Sequence, residues 1–284
     1  MVFTSARMGT LALQPAPPTS GKLIWATDWH LDHADAPTRH RLLDSIRAEL
    51  PGTLVISGDI STGRQLPEDL QWLVAELDCP VAFVLGNHDF YGSSLARVDA
   101  AVALTCADHP RLQHLNGNEV LTLTPTTALI GHRGWADGRA GAGAQSQVEL
   151  NDYRLIAELT GCSRAERFRR LAALGDASAK SLRVALDMAV PRYRRVFVLT
   201  HVPPFPEATW HEGQVSDAEY LPHFCNTAAG NVLRAVAKKH PRHQFIVLCG
   251  HTHSPGVARI LPNMVVHTGG AEYGDPGIQR CFSL

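Results

Sequence analysis

Residues 22–28 read KLIWATD, residues 53–59 read TLVISGD and residues 81–87 read VAFVLGN, and these three runs decide the fold. Each is short, apolar and closed by polar residues. Between them lie amphipathic stretches, from about Thr38 to Leu50 and from about Pro67 to Leu77. Strand-like runs alternating with helical ones predict a βαβαβ unit and a parallel sheet. Ligand sites in open α/β sheets form at the carboxyl ends of the strands. Asp28 and His30, Asp59, and Asn87 and His88 all arrive at that edge.

Working outward, a helix is expected from Ser94 to Thr105, and VLTLT and TALIG read as paired strands leading to His132, Arg133 and Trp135. There Arg133 is placed to meet phosphate oxygens in a forked contact, and the aromatic Trp29, Trp135 and Trp210 are expected to pack. Glycines 138, 141 and 143 break the pattern, and about Gln147 to Val190 reads as helical. The span of about 139–193 is thus a candidate helical insert or cap. The strand-and-helix alternation resumes with RVFVLTH (195–201), a helix from about Thr227 to His240, and QFIVLCGHTH (244–253). VARI, MVVHT and a last strand near Gln279 to Ser283 are expected at the edge of a second sheet packed on the first.

With 284 residues and 45% hydrophobic content the chain can bury a large core, which excludes disorder throughout. A net charge of -1 provides no global field for gripping a polyanion, so long nucleic acid is not the expected partner. Residues 164–195 are the local exception, with nine basic residues against Glu166, Asp176 and Asp187. They read as a solvated helical face, or else as a basic cap over a phosphate site. Six cysteines without C-x-x-C spacing predict a reducing, cytoplasmic setting. Residues 1–20 read as a flexible leader, without a signal peptide's apolar stretch, and no run reaches the roughly 18 apolar residues of a membrane span.

The chemistry is carried by five clusters at predicted strand ends: Asp28-Trp29-His30, Gly58-Asp59, Gly86-Asn87-His88-Asp89, Thr200-His201 and Gly250-His251-Thr252-His253. Carboxylate, amide and imidazole are ligands suited to zinc, iron and manganese. In extended chain, positions i and i+2 share a side, so Asp28 with His30 and His251 with His253 can face one site. Glycines 58, 86 and 250 are expected to allow the turns that bring the ligands together. Asp89 is placed either to orient His88 or to cap a helix.

In order and spacing, D-x-H, G-D, G-N-H-D, H and G-H-x-H over residues 28–253 resemble the calcineurin-like metallophosphoesterase superfamily. That resemblance implies an α/β fold of two mixed β-sheets packed as a sandwich and flanked by helices, spanning residues 21–284. It implies two divalent or mixed-valence transition metal ions (Mn, Fe or Zn). Asp28, His30, Asp59 and His253 would hold one, and Asp59, Asn87, His201 and His251 the other. Two such ions against two aspartates leave about two positive charges, enough to bind phosphate and to make a bridging hydroxide for in-line attack near neutral pH. His88, by the same resemblance, protonates the leaving oxygen.

The resemblance is not to every branch. Thr62 stands where serine/threonine protein phosphatases carry the second aspartate of G-D-x-x-D-R-G, and where purple acid phosphatases carry an iron-binding tyrosine. The expected activity is therefore hydrolysis of a small phosphorylated substrate, diester ahead of monoester. A nuclease of the same superfamily and a non-catalytic module that keeps the fold are the alternatives.

Overall fold

In the computed structural model, which describes residues 21–284, the three deciding runs are strands β1 (Lys22–Ala26), β2 (Thr53–Ser57) and β3 (Val81–Val84). They lie parallel and in chain order, connected by α1 (Ala36–Ala48) and α2 (Leu66–Glu76). The Asp35 carboxylate accepts from the Thr38 amide at 2.9 Å and fixes the start of α1. After α3 (Leu95–Asp108), β4 (Leu112–His114) extends the sheet beside β3. The leader expected over residues 1–20 lies outside the described residues.

The second sheet begins with the antiparallel pair β5 (Leu121–Thr124) and β6 (Thr127–Gly131). It continues through β7 (Arg195–Leu199), passes the small hairpin β8 (Trp210–His211) and β9 (Gln214–Val215), and adds β10 (Gln244–Cys249), β11 (Gly256–Leu261) and β12 (Met264–Thr268). Its spatial order is β11-β12-β10-β7-β6-β5. The last strand, β13 (Arg280–Ser283), departs from the expectation. It pairs antiparallel with β1, so it closes the edge of the first sheet instead of joining the second. Phe282 explains the choice, since from that position it inserts between the sheets, with its ring 5.3 Å from Phe197. An otherwise open edge of β1 is covered by the same move.

Both faces of each sheet are buried, so the strands read as continuous apolar runs. Ile24, Leu54, Ile56 and Phe83 face α1, α2 and α3, whereas Leu23, Trp25, Val55 and Val84 face the second sheet. Phe197, Leu199, Ile246 and Leu248 meet them across the sandwich. Val196, Val198, Phe245 and Val247 point outward under two long helices, α5 (Arg164–Ala189) and α6 (Thr227–Lys239). The result is four layers: helices, sheet, sheet, helices.

The helical pattern expected from about Gln147 becomes continuous only at Arg164. Upstream, residues 132–163 are irregular apart from single turns such as α4 (Asp152–Leu155). Leu182, Ala185, Leu186 and Ala189 of α5 belong to the core under the second sheet, so most of this helix is an outer layer of the sandwich. Its cations are largely engaged on the surface: Arg167 with Glu149 at 2.7 Å, Arg170 with Glu166 at 2.6 Å and Arg183 with Asp187 at 3.0 Å. That is the arrangement of a solvated helical face. No helix among the described residues is long and apolar enough to cross a membrane.

Candidate metal centre

Past the ends of β1 and β2 the backbones stay bonded: the Asp28 amide donates to the Gly58 carbonyl at 3.0 Å and the His30 amide to the Asp59 carbonyl at 3.0 Å. On the second sheet the Gly250 amide donates to the His201 carbonyl at 2.9 Å. All five clusters therefore meet on a braced rim. The pairs Asp28/His30 and His251/His253 do face one site, but not through extended chain. All four residues, and Asp59, have positive φ, between 44° and 73°. Among the described residues only Leu50 and Glu212 share that conformation without a glycine's freedom. Strain of this kind persists where the surroundings over-determine it, and it concentrates at functional sites.

Of the three glycines expected to turn the chain, only Gly58 has positive φ, at 94°. Gly86 and Gly250 serve close approach instead. A Cβ on Gly86 would lie 2.1 Å from Asp59 Oδ1, and one on Gly250 would lie 1.9 Å from Asp28 Oδ2.

Asp28, His30, Asp59 and His253 place one ligand atom each within 4.8 Å of one another. His30 Nε2 and His253 Nε2 are 3.2 Å apart, and His253 Nε2 is 3.5 Å from Asp28 Oδ1. The His88 amide donates to Asp59 Oδ1 at 2.8 Å, which leaves Oδ2 facing His30 at 3.9 Å and His201 at 3.4 Å. One aspartate oxygen thus stands between the two halves of the site.

In the other half, Asn87 Oδ1 lies 3.0 Å from His201 Nε2 and 2.9 Å from His251 Nδ1. The far nitrogen of each ring is already committed, because carbonyls can only accept. His201 Nδ1 donates to the Ser57 carbonyl at 2.9 Å and His251 Nε2 to the His223 carbonyl at 3.0 Å. In neutral rings, His201 Nε2 and His251 Nδ1 are then lone pairs aimed at a third lone pair on Asn87 Oδ1. Only a positive charge among them relieves that arrangement.

The electrostatics follow from two buried carboxylates. Burial would raise Asp59, but the His201, His88 and His30 imidazoles outweigh it and hold the acid well below the ordinary carboxylate range. Burial also opposes the shift at Asp28, where the His253 hydrogen bond and the His201 charge win and lower it. Burial pulls His30 down to about 4 and His251 to about 3. At His201 the Asp59 and Asp28 carboxylates overcome burial and raise the imidazole to about 10, and His253 is raised with Asp28 as its partner. At neutral pH the proton on His201 offsets part of the charge of Asp28 and Asp59.

His88 stands at the mouth, with Nε2 4.0 Å from Asp59 Oδ2 and its ring stacked on Tyr91 at 4.1 Å. Asp89 neither orients His88 nor caps a helix. Its carboxylate accepts from the amides of Asp59, Ile60, Ser61 and Gly86, at 2.8 to 3.0 Å, and so staples the β2 loop to the β3 loop. Arg133 is not in the mouth either: it donates to Asp99 at 3.0 Å, and its guanidinium lies over Phe90. Trp29 and Trp135 are buried as expected, and Trp29 Nε1 also holds the Gly277 carbonyl at 2.9 Å.

Sequence reading missed Asp152, Tyr91 and Tyr273. Tyr273 sits on the loop that Trp29 anchors and lies 4.6 Å from the His30 ring and 5.4 Å from the His253 ring. None of the three belongs to a motif; only proximity after folding reveals them.

Residues 21–255 match the model of the calcineurin-like phosphoesterase family. The chain belongs to that family. Membership identifies the protein as a metal-dependent hydrolase of phosphate esters, with the α/β sandwich of two mixed sheets as its fold. No curated protein matches the chain. Among solved structures, a phosphopantetheinyl hydrolase from Mycobacterium tuberculosis is similar, with 15% identity, a TM-score of 0.59, and 94% of this chain and 96% of that one covered. A dimetal phosphatase from Danio rerio is similar too, with 17% identity, a TM-score of 0.59, and 94% and 93% covered. TT1561 of Thermus thermophilus follows at 12% identity and a TM-score of 0.54, over 89% and 90% of the two chains. At such identities the likeness establishes the fold shared with this phosphoesterase.

Proposed function

We propose that the protein hydrolyses small phosphodiesters with two divalent cations. Asp28, His30, Asp59 and His253 hold one; Asp59, Asn87, His201 and His251 hold the other, and Asp59 is shared. The observation that supports this most directly is the convergence of His201 Nε2 and His251 Nδ1 on Asn87 Oδ1, at 3.0 and 2.9 Å, with the far nitrogen of each ring committed to a backbone carbonyl. Nitrogen and oxygen donors of this kind fit manganese, iron or zinc. When bound, the cation pair supplies Lewis acidity to a phosphoryl oxygen and brings the pKa of water towards ~7.

The remaining work falls to the chain's own side chains. His88 presents Nε2 to the mouth on the side of Asp59 Oδ2 and is the proton donor to the leaving oxygen. Tyr91, stacked on its ring, fixes the plane from which that proton is delivered. The mouth is a cavity of about 210 Å³ walled by Tyr91, Phe224, Tyr273 and Leu150, and among the described residues neither lysine nor arginine lines it. A terminal phosphate dianion is usually met by such cations. Their lack here supports a monoanionic diester, and the aromatic walls suit an apolar or planar substituent. The six cysteines are all free, in keeping with a proposed cytoplasmic setting.

The test is bis-p-nitrophenyl phosphate against p-nitrophenyl phosphate, with protein reconstituted in Mn²⁺, Fe²⁺ or Zn²⁺. We expect kcat/KM for the diester to exceed that for the monoester by about tenfold or more, equivalent to about 1.4 kcal/mol in the barrier. Equal or reversed ratios with every metal refute the diester reading.

A further inference from the structure

Asn87 has a weakness as a ligand. Its amide oxygen and amide nitrogen are nearly isosteric, and rotation by 180° about the last bond exchanges them. Only the oxygen can ligate, because the nitrogen's lone pair is delocalised into the amide. Something must therefore choose the orientation.

We infer that Asp152 makes that choice and that residues 152–153 are the positioning element for the second cation site. This rests on the two-cation reading above. Asp152 comes from the irregular segment between β6 and α5, 65 residues beyond Asn87 in sequence, and is buried at 5% exposure. Its Oδ1 accepts from Asn87 Nδ2 at 2.8 Å and from the Tyr91 hydroxyl at 2.7 Å. In the flipped amide, the Asn87 oxygen would face a carboxylate oxygen at the same distance, acceptor against acceptor. The correct orientation replaces that repulsion with a charge-assisted hydrogen bond. The Tyr91 hydroxyl, held by the same oxygen, keeps its ring on His88.

Tyr153, the next residue, supports a second ligand. Its hydroxyl bonds His223 Nδ1, and the His223 carbonyl is the acceptor that fixes the ring of His251. The guanidinium of Arg167 lies over the Tyr153 ring at 4.1 Å. The segment is in turn tied to the loop behind His88: the Gly92 amide donates to the Leu155 carbonyl at 2.9 Å and the Ala157 amide to the Ser93 carbonyl at 3.0 Å. Two neighbouring residues thus set the donor atoms of Asn87 and His251, whereas among the described residues no hydrogen bond joins this segment to the Asp28, His30 or His253 side chains.

The asymmetry is what the experiment reads. Mn²⁺ is titrated calorimetrically into wild type, Asp152→Ala, Asp152→Asn and Tyr91→Phe, with thermal unfolding of each followed by circular dichroism. In Asp152→Ala one of the two equivalents should weaken by about 10–100-fold, the range typical for partners that orient a metal ligand, while the other keeps its affinity within about threefold. Asp152→Asn keeps a carbonyl acceptor, so its loss should be smaller, and it serves in place of the alanine variant if that fails to fold. Tyr91→Phe keeps the Asp152–Asn87 bond and should retain both affinities. Two unchanged affinities in Asp152→Ala, or equal weakening of both sites together with a lowered melting temperature, overturn the role of Asp152. A wild type that takes up fewer than two equivalents overturns the two-cation reading itself.

Discussion

Loading the second site must displace a proton. His201 is raised to about 10 by the Asp59 and Asp28 carboxylates, so at pH 7 it is protonated in the metal-free protein, and Nε2 has no lone pair to give. Taking that proton off at pH 7 costs about 1.36 kcal/mol per unit over about three units, or roughly 4 kcal/mol. The apparent affinity for the second cation is lowered by about 10³ relative to the deprotonated site. It should therefore rise about tenfold per pH unit between pH 6.5 and 8.5. His253, raised by its Asp28 partner, pushes the pH dependence of the first site in the same direction. The same shift has a signature in stability. A folded pKa above the unfolded value means that the stabilisation is complete below about 6.5 and is lost as pH rises towards about 10. The metal-free protein should thus become less stable over that window, and the loaded protein, already without the proton, should not. The assay is calorimetric titration of Mn²⁺ at fixed pH in buffers of different ionisation enthalpy, from which the number of protons released is read directly. About one proton, that of His201, is expected at pH 7. Heats that are identical in every buffer, with affinity flat from pH 6.5 to 8.5, refute the argument.

Gly250→Ala puts a methyl group 1.9 Å from Asp28 Oδ2 and 2.2 Å from Thr27 Oγ1. Asp28 must move, and activity should fall by about 10²-fold, with the first cation weakened in the same titration; wild-type kcat/KM refutes the close-approach reading. Asp89→Asn turns an amide NH₂ towards two backbone N–H groups, whichever way it faces. Two buried bonds are lost, and urea unfolding should show destabilisation of about 3 kcal/mol or more. His88→Asn, with metal content unchanged, should slow esters with poor leaving groups by about 10²–10⁴-fold and activated nitrophenyl esters far less. Equal losses across a leaving-group series contradict proton donation by His88.

The residues proposed as ligands are legible in the sequence because their chemistry is tied to the strand pattern. A short apolar run ending in Asp, Asn or His marks a strand's carboxyl end, and a parallel sheet puts such ends together whatever the intervening helices do. Asp28, Asp59 and Asn87 needed only that much, and His201 and His251 needed the second sheet to face the first. The placement of β13 was not legible by the same means. Four residues of strand-like pattern fit either edge, and what decides is where the Phe282 ring finds room. The α5 boundary failed for a related reason: residues 147–163 contain helix-compatible residues, but their hydrogen bonds go to other loops, as when the Gln147 amide donates to the Glu219 carboxylate.

Asp152 and Asp89 mark the deeper limit. Each is an ordinary aspartate beside a turn, and local pattern assigns such residues to caps or solvent. Their actual roles depend on which donors the fold leaves without partners. At the β2 and β3 loops the chain leaves the ladder at the strained Asp59, and the amides of Asp59, Ile60, Ser61 and Gly86 turn inward to the carboxylate of Asp89. At Asn87 the free donor is the amide nitrogen, for which position 152 supplies the acceptor, leaving the oxygen for the proposed cation. Both aspartates thus answer donors that the loops at the strand ends leave without backbone partners. A ligand set can be read from a sequence as a pattern. The groups that hold those ligands answer to the hydrogen bonds the pattern leaves unmade, and these exist only once the backbone has taken its path.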